Sequence, residues 1–535
     1  MSGGLTRRGF VGRGGAVAGG GLLASLAAPA AASAGRTGGP RGASSLLVVL
    51  PLLRGDYIRS FENGSGTQTP NLDHLTYQSL SFTRAIPECM PALPVRRTLL
   101  TGVRSFPFRD WTRTDGLPAV PGYNPARDVQ PVLTETVALN GIRSVYITDN
   151  PMVAGPRFGE VRRPPGRTPG INALCPCGSG RNRKSCCAAG SGIKDEIAAI
   201  ERASAAVERT FRAGIDALRE LRGKDPYFLG VDPFDPVDAT EAPPIYVTPH
   251  RVDQQGIGPM DGRLVEMKFK NGDLGPLRDA YRKHVELVDD WVGRLMDEVP
   301  DDLFLMTLAD TGIALGEHEY IGRGAPTSHR LSYEIPYLIR HPGGQHRGDS
   351  VHWYASTHDV APTLLSSMGL TIPGKMRGED LTQLYDGVDD ADLPARPFSI
   401  TCSGSLIVVR DSRWLMVSDR EQLERRLYDD DEEADDDNKK KRYDDVAGDA
   451  PGQLTDMSMA AITVAGGTLP EFGPDGALRP TRERGNDDVD NDGIPNDWDA
   501  VDNEHPDDYD TPEGIEFDGR DPQNRQKIVK KVPLP

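Results

Sequence analysis

SLLVVLP, residues 45–51, is a continuous apolar run closed by a proline. A run without polar alternation suits a strand of a parallel sheet covered on both faces. Pro51 ends it, because proline cannot donate to a central ladder. Working outward, RSVYIT (143–148), YFLGV (227–231), LFLMTL (303–308) and IPYLI (335–339) read as further strands of the same kind. Helical stretches lie between them. One starts at TPNLDHL (69–75), with Pro70 in its first turn and Leu72, Leu75 and Leu80 as a loosely apolar face. A second spans Leu277 to Met296, with Leu277, Tyr281, Val285, Val288 and Val292 on one stripe. A third spans Asp359 to Met368. Strands alternating with helices predict an α/β fold, a mostly parallel sheet sandwiched by helices. From Ile400 to Val417 the pattern turns to short strands, which predicts a small C-terminal antiparallel β subdomain.

The chain has 535 residues, 26% charged and 37% hydrophobic, enough for one large α/β domain with appendages. Its formal net charge of -18 argues against a nucleic-acid surface. Much of that charge sits in two late acidic blocks. At the other end, TRRGFV (6–11) has the twin-arginine pattern, a Gly/Ala/Leu-rich stretch runs from Gly15 to Ala30, and Ala32-Ser33-Ala34 offers a small-x-small cleavage site. Residues 1–34 therefore read as a twin-arginine signal peptide, and 35–44 as a linker. The expectation is export to the periplasm, the cell surface or the medium. No later segment has the length and apolarity of a transmembrane helix.

Three stretches together resemble the sulfatase branch of the alkaline-phosphatase superfamily: LLVVLPLLRGDYIRSF (46–61), TPNLDHLTYQSLSFTRAIPECMPALPVRRTLLTG (69–102) and LFLMTLADTGIALGEHEYIGR (303–323), the last followed by IPYLIRHPGG and ASTHDVAPTLL. The resemblance runs from Ser45 to about Met457 and implies metal-assisted hydrolysis of sulfuric or phosphoric esters. In that chemistry a hard cation, held by carboxylates, polarises the ester, and a nucleophile at a helix start attacks it. The nucleophile motif C/S-x-P-x-R falls on Ala92 to Arg96. Pro94 and Arg96 are present, but the nucleophile position is Ala92, whose methyl group cannot attack. The first-strand metal ligand is replaced by Pro51. Of the later ligand pair Asp310 is retained, while Thr311 stands where His or Asn is expected. Val237 holds the position of a substrate-side His, and Arg323 that of a basic residue able to bind an anion. Cys89, three residues before Ala92, reads as a half-buried cysteine at the site's rim. With these positions changed, the family cation is expected to bind poorly.

Two further motifs are foreign to that family. Cys175, Cys177, Cys186 and Cys187 lie in CPCGSGRNRKSCC, which resembles the SEC-C zinc motif; four thiolates on a short Gly-containing loop suit tetrahedral zinc, with two disulfides as the alternative. Arg181, Arg183 and Lys184 make this insert, 170–190, a small basic knuckle fit to meet a protein. In the tail, DVDNDGIPNDWD (488–499) places Asp488, Asp490, Asp492, the carbonyl of Ile494, Asn496 and Asp499 at the ligand positions of an EF-hand-like loop, with Gly493 at the sixth. It resembles thrombospondin type 3 or dockerin-like repeats and predicts calcium. The acid run inside 429–442 reads as a solvated loop. Cys89 and Cys402 are left over, and the sequence does not show whether they pair.

The domain reading is thus a body over 45–400, a C-terminal subdomain over 401–470 and a calcium-binding tail over 471–535. The leading functional expectation is an exported sulfatase-like protein that is catalytically impaired or a pseudoenzyme acting as a binding protein. An active hydrolase with a non-standard nucleophile, such as metal-activated water on a sulfated or phosphorylated small molecule or glycan, is one alternative. A calcium-dependent surface interaction protein, with a protein partner at the knuckle or tail, is the other.

Overall fold

The computed structural model describes residues 43–469, apart from 166–191, 250–263, 324–329, 386–395, 430–445 and shorter breaks at 63–66, 116, 119, 127–130, 155, 225, 240–244, 352, 397, 405, 420–421, 423–424 and 468. The signal-peptide, zinc-cysteine and calcium-loop expectations fall on residues outside this range.

An eight-stranded sheet forms the centre. Its strands are β1 (Ser45–Leu50), β2 (Leu80–Phe82), β3 (Arg143–Thr148), β4 (Glu160–Arg162), β5 (Tyr227–Asp232), β8 (Phe304–Ala309), β11 (Tyr337–Arg340) and β12 (Ser350–Val351). Their spatial order is β12-β2-β11-β8-β1-β5-β3-β4, and only β11 runs antiparallel to its neighbours. β1, β5 and β8 are buried at every residue, which explains their unbroken apolar runs. The sheet is mixed but mostly parallel, as the alternation of strands and helices predicts.

The helices used below are α1 (Pro70–Tyr77), α2 (Ala92–Thr101), α3 (Leu133–Leu139), α4 (Gly192–Leu221), α5 (Gly275–Met296), α6 (Val360–Ser367) and α7 (Pro451–Val464). α4 packs along α5 and against β5. The expected stripe of α5 is buried at Leu277, Tyr281, Val285, Val288 and Val292. Asp289, on the same helix, accepts backbone N–H groups of Asn71 and Leu72 at 3.0 and 2.8 Å, and so satisfies the otherwise orphaned start of α1.

Two smaller sheets flank the main one. β13 (Ser399–Ser403), β14 (Leu406–Arg410), β15 (Trp414–Asp419) and β16 (Arg425–Asp429) form an antiparallel meander covered by α7, which is the predicted C-terminal subdomain. The other sheet joins β7 (Leu264–Glu266), β6 (Ile245–Val247), β10 (Tyr320–Gly322) and β9 (Ala314–Leu315). Among the described residues no helix is long and apolar enough to cross a membrane.

The register of the central strands positions the site. Leu50 of β1 lies beside Ala309 of β8, and Val48 beside Val231 of β5. All three strands point the same way, so the residues that follow them converge at the carboxyl edge of the sheet, where ligands of open α/β sheets bind.

Candidate functional site

Pro51, Ala92, Arg96, Asp310, Thr311 and Arg323, six of the positions singled out from the sequence, line one small cleft at this edge. Pro51 and Leu52 leave β1, Asp310 and Thr311 leave β8, and Arg323 follows β10. Ala92 and Arg96 come from the first two turns of α2, a helix buried at all ten residues. The start of α2 has no side-chain cap, and Ala92 brings only a methyl group to the cleft.

The centre of the site is an arginine. Arg96 is 1% exposed, and its Nε donates to Asp232 Oδ1 at 3.0 Å while its Nη1 donates to Asp310 Oδ2 at 2.5 Å. Nη2 donates to the Pro233 carbonyl at 3.0 Å, Nη1 also reaches the Ala92 carbonyl at 3.4 Å, and the Phe234 ring lies 5.2 Å from the guanidinium carbon. Burial disfavours the charged guanidinium, but the two carboxylates outweigh it and hold the Arg96 pKa above its ordinary value.

Each carboxylate is otherwise satisfied. Asp310 Oδ1 accepts the backbone N–H of Leu52 at 2.8 Å and of Thr311 at 2.7 Å, with the Thr311 hydroxyl at 3.4 Å. Leu52 reaches it because its φ is +59°, a left-handed bend immediately after Pro51. Asp232 Oδ2 accepts the Tyr146 hydroxyl at 3.1 Å and the Thr148 hydroxyl at 3.3 Å. Burial pushes the Asp232 carboxyl up against the pull of Arg96, and burial beside Asp232 holds the Tyr146 phenol well above its usual range.

Pro51 contributes a carbonyl rather than a side chain. That oxygen accepts Nε2–H of His284 at 2.9 Å, while Nδ1 of the same ring faces the Ser204 hydroxyl at 2.9 Å. Burial holds the His284 ring below its ordinary pKa, and the Ser204 hydroxyl facing it donates to the Ile200 carbonyl at 2.9 Å. Arg323 is buried to 7% exposure, with Nε 3.7 Å from the Glu196 carboxylate of α4.

The divalent cation implied by the resemblance does not fit these donors. Of its three expected ligand positions, Pro51 offers no side-chain oxygen, Asp310 is engaged on both oxygens and paired with the Arg96 charge, and Thr311 offers only a neutral hydroxyl. Among the described residues no three His, Cys, Asp or Glu side chains gather as a metal cluster.

Two sequence readings change. Cys89 is not half-buried at the rim: it is fully buried in the apolar core shared with the small sheet, its backbone paired alongside that of Cys402 of β13, and both cysteines are free thiols with no disulfide between them. Val237 lies in the turn Pro236–Ala239, while Pro233, Phe234 and Asp235 just before that turn line the cleft, Asp235 paired with Arg202 at 2.5 Å. The sequence reading singles out neither Tyr146 nor Asp232, which follows the strand read over 227–231 and whose partner Arg96 is 136 positions away.

The chain superimposes on a 2-O GAG sulfatase with a TM-score of 0.58 at 14% identity, covering 80% of this chain and 93% of that one. It superimposes on the phosphonate monoester hydrolase of Silicibacter pomeroyi with a TM-score of 0.56 at 19% identity, covering 82% and 99%. The fold is alkaline-phosphatase-like. Residues 222–370 match the sulfatase family model, a span that holds Asp232, Asp310, Thr311 and Arg323 but neither Ala92 nor Arg96. In sequence, the chain is 24% identical over 402 residues to the multifunctional alkaline phosphatase superfamily protein PehA of Trinickia caryophylli, covering 63% of this chain and 76% of that protein. It is 26% identical over 123 residues to the ulvan-active sulfatase of Formosa agariphila, covering 22% and 24%. The chain is thus similar to sulfatases and to a protein of the alkaline phosphatase superfamily, and shares the fold of the solved structures.

Proposed function

We propose that this chain is an exported sulfatase-like protein that no longer hydrolyses esters and acts by binding, with the cleft as a vestige of the ester site. The observation that carries this reading is the Arg96 guanidinium held between Asp232 and Asp310 at the spot where the relatives' chemistry calls for a cation. Beside it, Ala92 stands at the helix start where a nucleophile is needed. Each missing member removes transition-state stabilisation, and members of one catalytic unit are not additive, so the first loss already costs most of the rate. The binding surfaces in this reading are the zinc knuckle of 170–190 and the calcium loop of the tail. The test is turnover. Purified protein is assayed against aryl sulfates, phosphate monoesters and phosphate diesters beside a heat-denatured control, and no difference is expected. Hydrolysis that disappears in Asp310→Ala would overturn the reading in favour of an active hydrolase with a non-standard nucleophile.

A further inference from the structure

Every hydrogen-bond partner of the Arg96 side chain is an oxygen that would also suit a hard cation. Two are carboxylate oxygens, Asp232 Oδ1 and Asp310 Oδ2. Two are backbone carbonyls, Pro233 O and Ala92 O. Calcium sites are built from this mixture of carboxylates and carbonyls, completed by water. Here the planar guanidinium fills the same space and satisfies the same oxygens with its fork of N–H donors, a geometry that a point-charge ammonium does not reproduce.

We propose that Arg96 is the protein's built-in cation. It holds the two buried carboxylates together in place of a divalent ion, the native chain takes no divalent ion between them, and removing the side chain opens an oxygen-lined cation site. The energetic case is that neither carboxylate can be left alone. Both are buried, and an unpaired buried charge costs far more than a lost surface pair. Without a cation among these oxygens, either a buried charge is left unpaired or a carboxyl must take up a proton, and both cost stability.

This inference deepens the non-hydrolytic reading, resting on it for a site without the family cation, and it is tested by stability rather than turnover. The full chain and Arg96→Ala are melted in chelator and in millimolar calcium or manganese. Arg96→Ala is expected to melt well below the native chain in chelator and to regain more than half of that loss with the cation. The regain should vanish in Arg96→Ala/Asp232→Asn/Asp310→Asn, which keeps any cation sites elsewhere in the chain and so controls for them. If Arg96→Ala does not fold in chelator, folding restored by the cation supports the proposal. In that case Arg96→Met/Asp232→Asn/Asp310→Asn, whose triad is neutral, should fold without any cation, and its failure to fold overturns the proposal. An Arg96→Ala protein as stable as the native chain in chelator overturns it. So does a loss that no divalent ion repairs, or an equal cation response in the native chain and the variant. Ester hydrolysis by a native chain whose Arg96→Ala variant still responds to cation sinks the non-hydrolytic reading alone; a cation-blind variant of an inactive chain sinks this inference alone.

Discussion

Tyr146 and Gly230 are register partners on β3 and β5, and the Tyr146 ring lies across the glycine, where a Cβ would come within 2.3 Å of it. The missing side chain lets the ring lie flat and carry its hydroxyl to Asp232, the carboxylate that holds Arg96. A glycine in the middle of a β-strand thus supports the site at one remove. Gly230→Ala is expected to cost about 1–3 kcal/mol by overpacking, read as a lower urea midpoint. Because the cause is the clash, Tyr146→Val should cost less in the Gly230→Ala background than in the native chain. Additive costs in that double-mutant cycle would rule out the steric account.

His358 gives the protein an acid-side weakness. The ring is fully buried, and among the described residues neither nitrogen has a hydrogen-bond partner. Burial, then repulsion from Arg104 and Arg396, pushes its pKa well below the ordinary value. The unfolded chain takes up this proton near pH ~6.5 and the folded chain does not. The stability from keeping His358 neutral is therefore complete above that pH and drains away as pH falls below it, by about 1.4 kcal/mol per pH unit. The urea midpoint should fall more steeply between about pH 6.5 and 5 in the native chain than in His358→Leu. Parallel slopes would mean that His358 does not set the weakness.

Much of this arrangement is legible in the sequence, for physical reasons that also mark where legibility ends. β1, β5 and β8 announce themselves because full burial leaves no polar position to interrupt the apolar run. The strands of the β7-β6-β10-β9 sheet are two or three residues long, too short for any period to register. Family-motif spacing finds Pro51, Ala92, Arg96, Asp310, Thr311 and Arg323, and the fold brings all six to one cleft. What spacing could not find is the pairing of Arg96 with Asp232, which is made across the sheet edge. In the sequence Arg96 is only the retained arginine of the nucleophile motif; the structure surrounds it with two carboxylates belonging to the chain itself. The environment of Cys89 was hidden for the same reason, since Cys402 reaches it from β13, in the small C-terminal sheet.

The four cysteines of the 170–190 insert yield a prediction about composition. Cys175 and Cys177, with the adjacent pair Cys186 and Cys187, are expected to hold zinc as four thiolates. Metal analysis of purified protein should find close to one zinc per chain, and Cys177→Ser should release it. Mass spectrometry without reduction separates the alternative: two disulfides and no metal would remove zinc from the account.

The tail makes the corresponding prediction for calcium. In residues 488–499 the carboxylates of Asp488, Asp490 and Asp492 stand at the first, third and fifth loop positions, Gly493 allows the sharp turn at the sixth, and Asp499 closes the loop at the twelfth. Asp at the last position has a shorter reach than the usual Glu, and a loop of this kind outside the cell is expected to bind in the range of about 10⁻⁴–10⁻³ M. Calcium titrated into the full chain should give a binding isotherm in that range. Asp492→Ala should weaken it, because the fifth position supplies a direct carboxylate. Asp497→Ala, at the tenth position, where the loop pattern requires no ligand, should change it far less. Magnesium should compete poorly, since it demands a near-ideal octahedron and gives up its water reluctantly. The comparison that decides is between the two variants. If Asp492→Ala and Asp497→Ala weaken calcium binding equally, the tail gathers cations through its net charge alone, and the loop geometry carries no part of the binding.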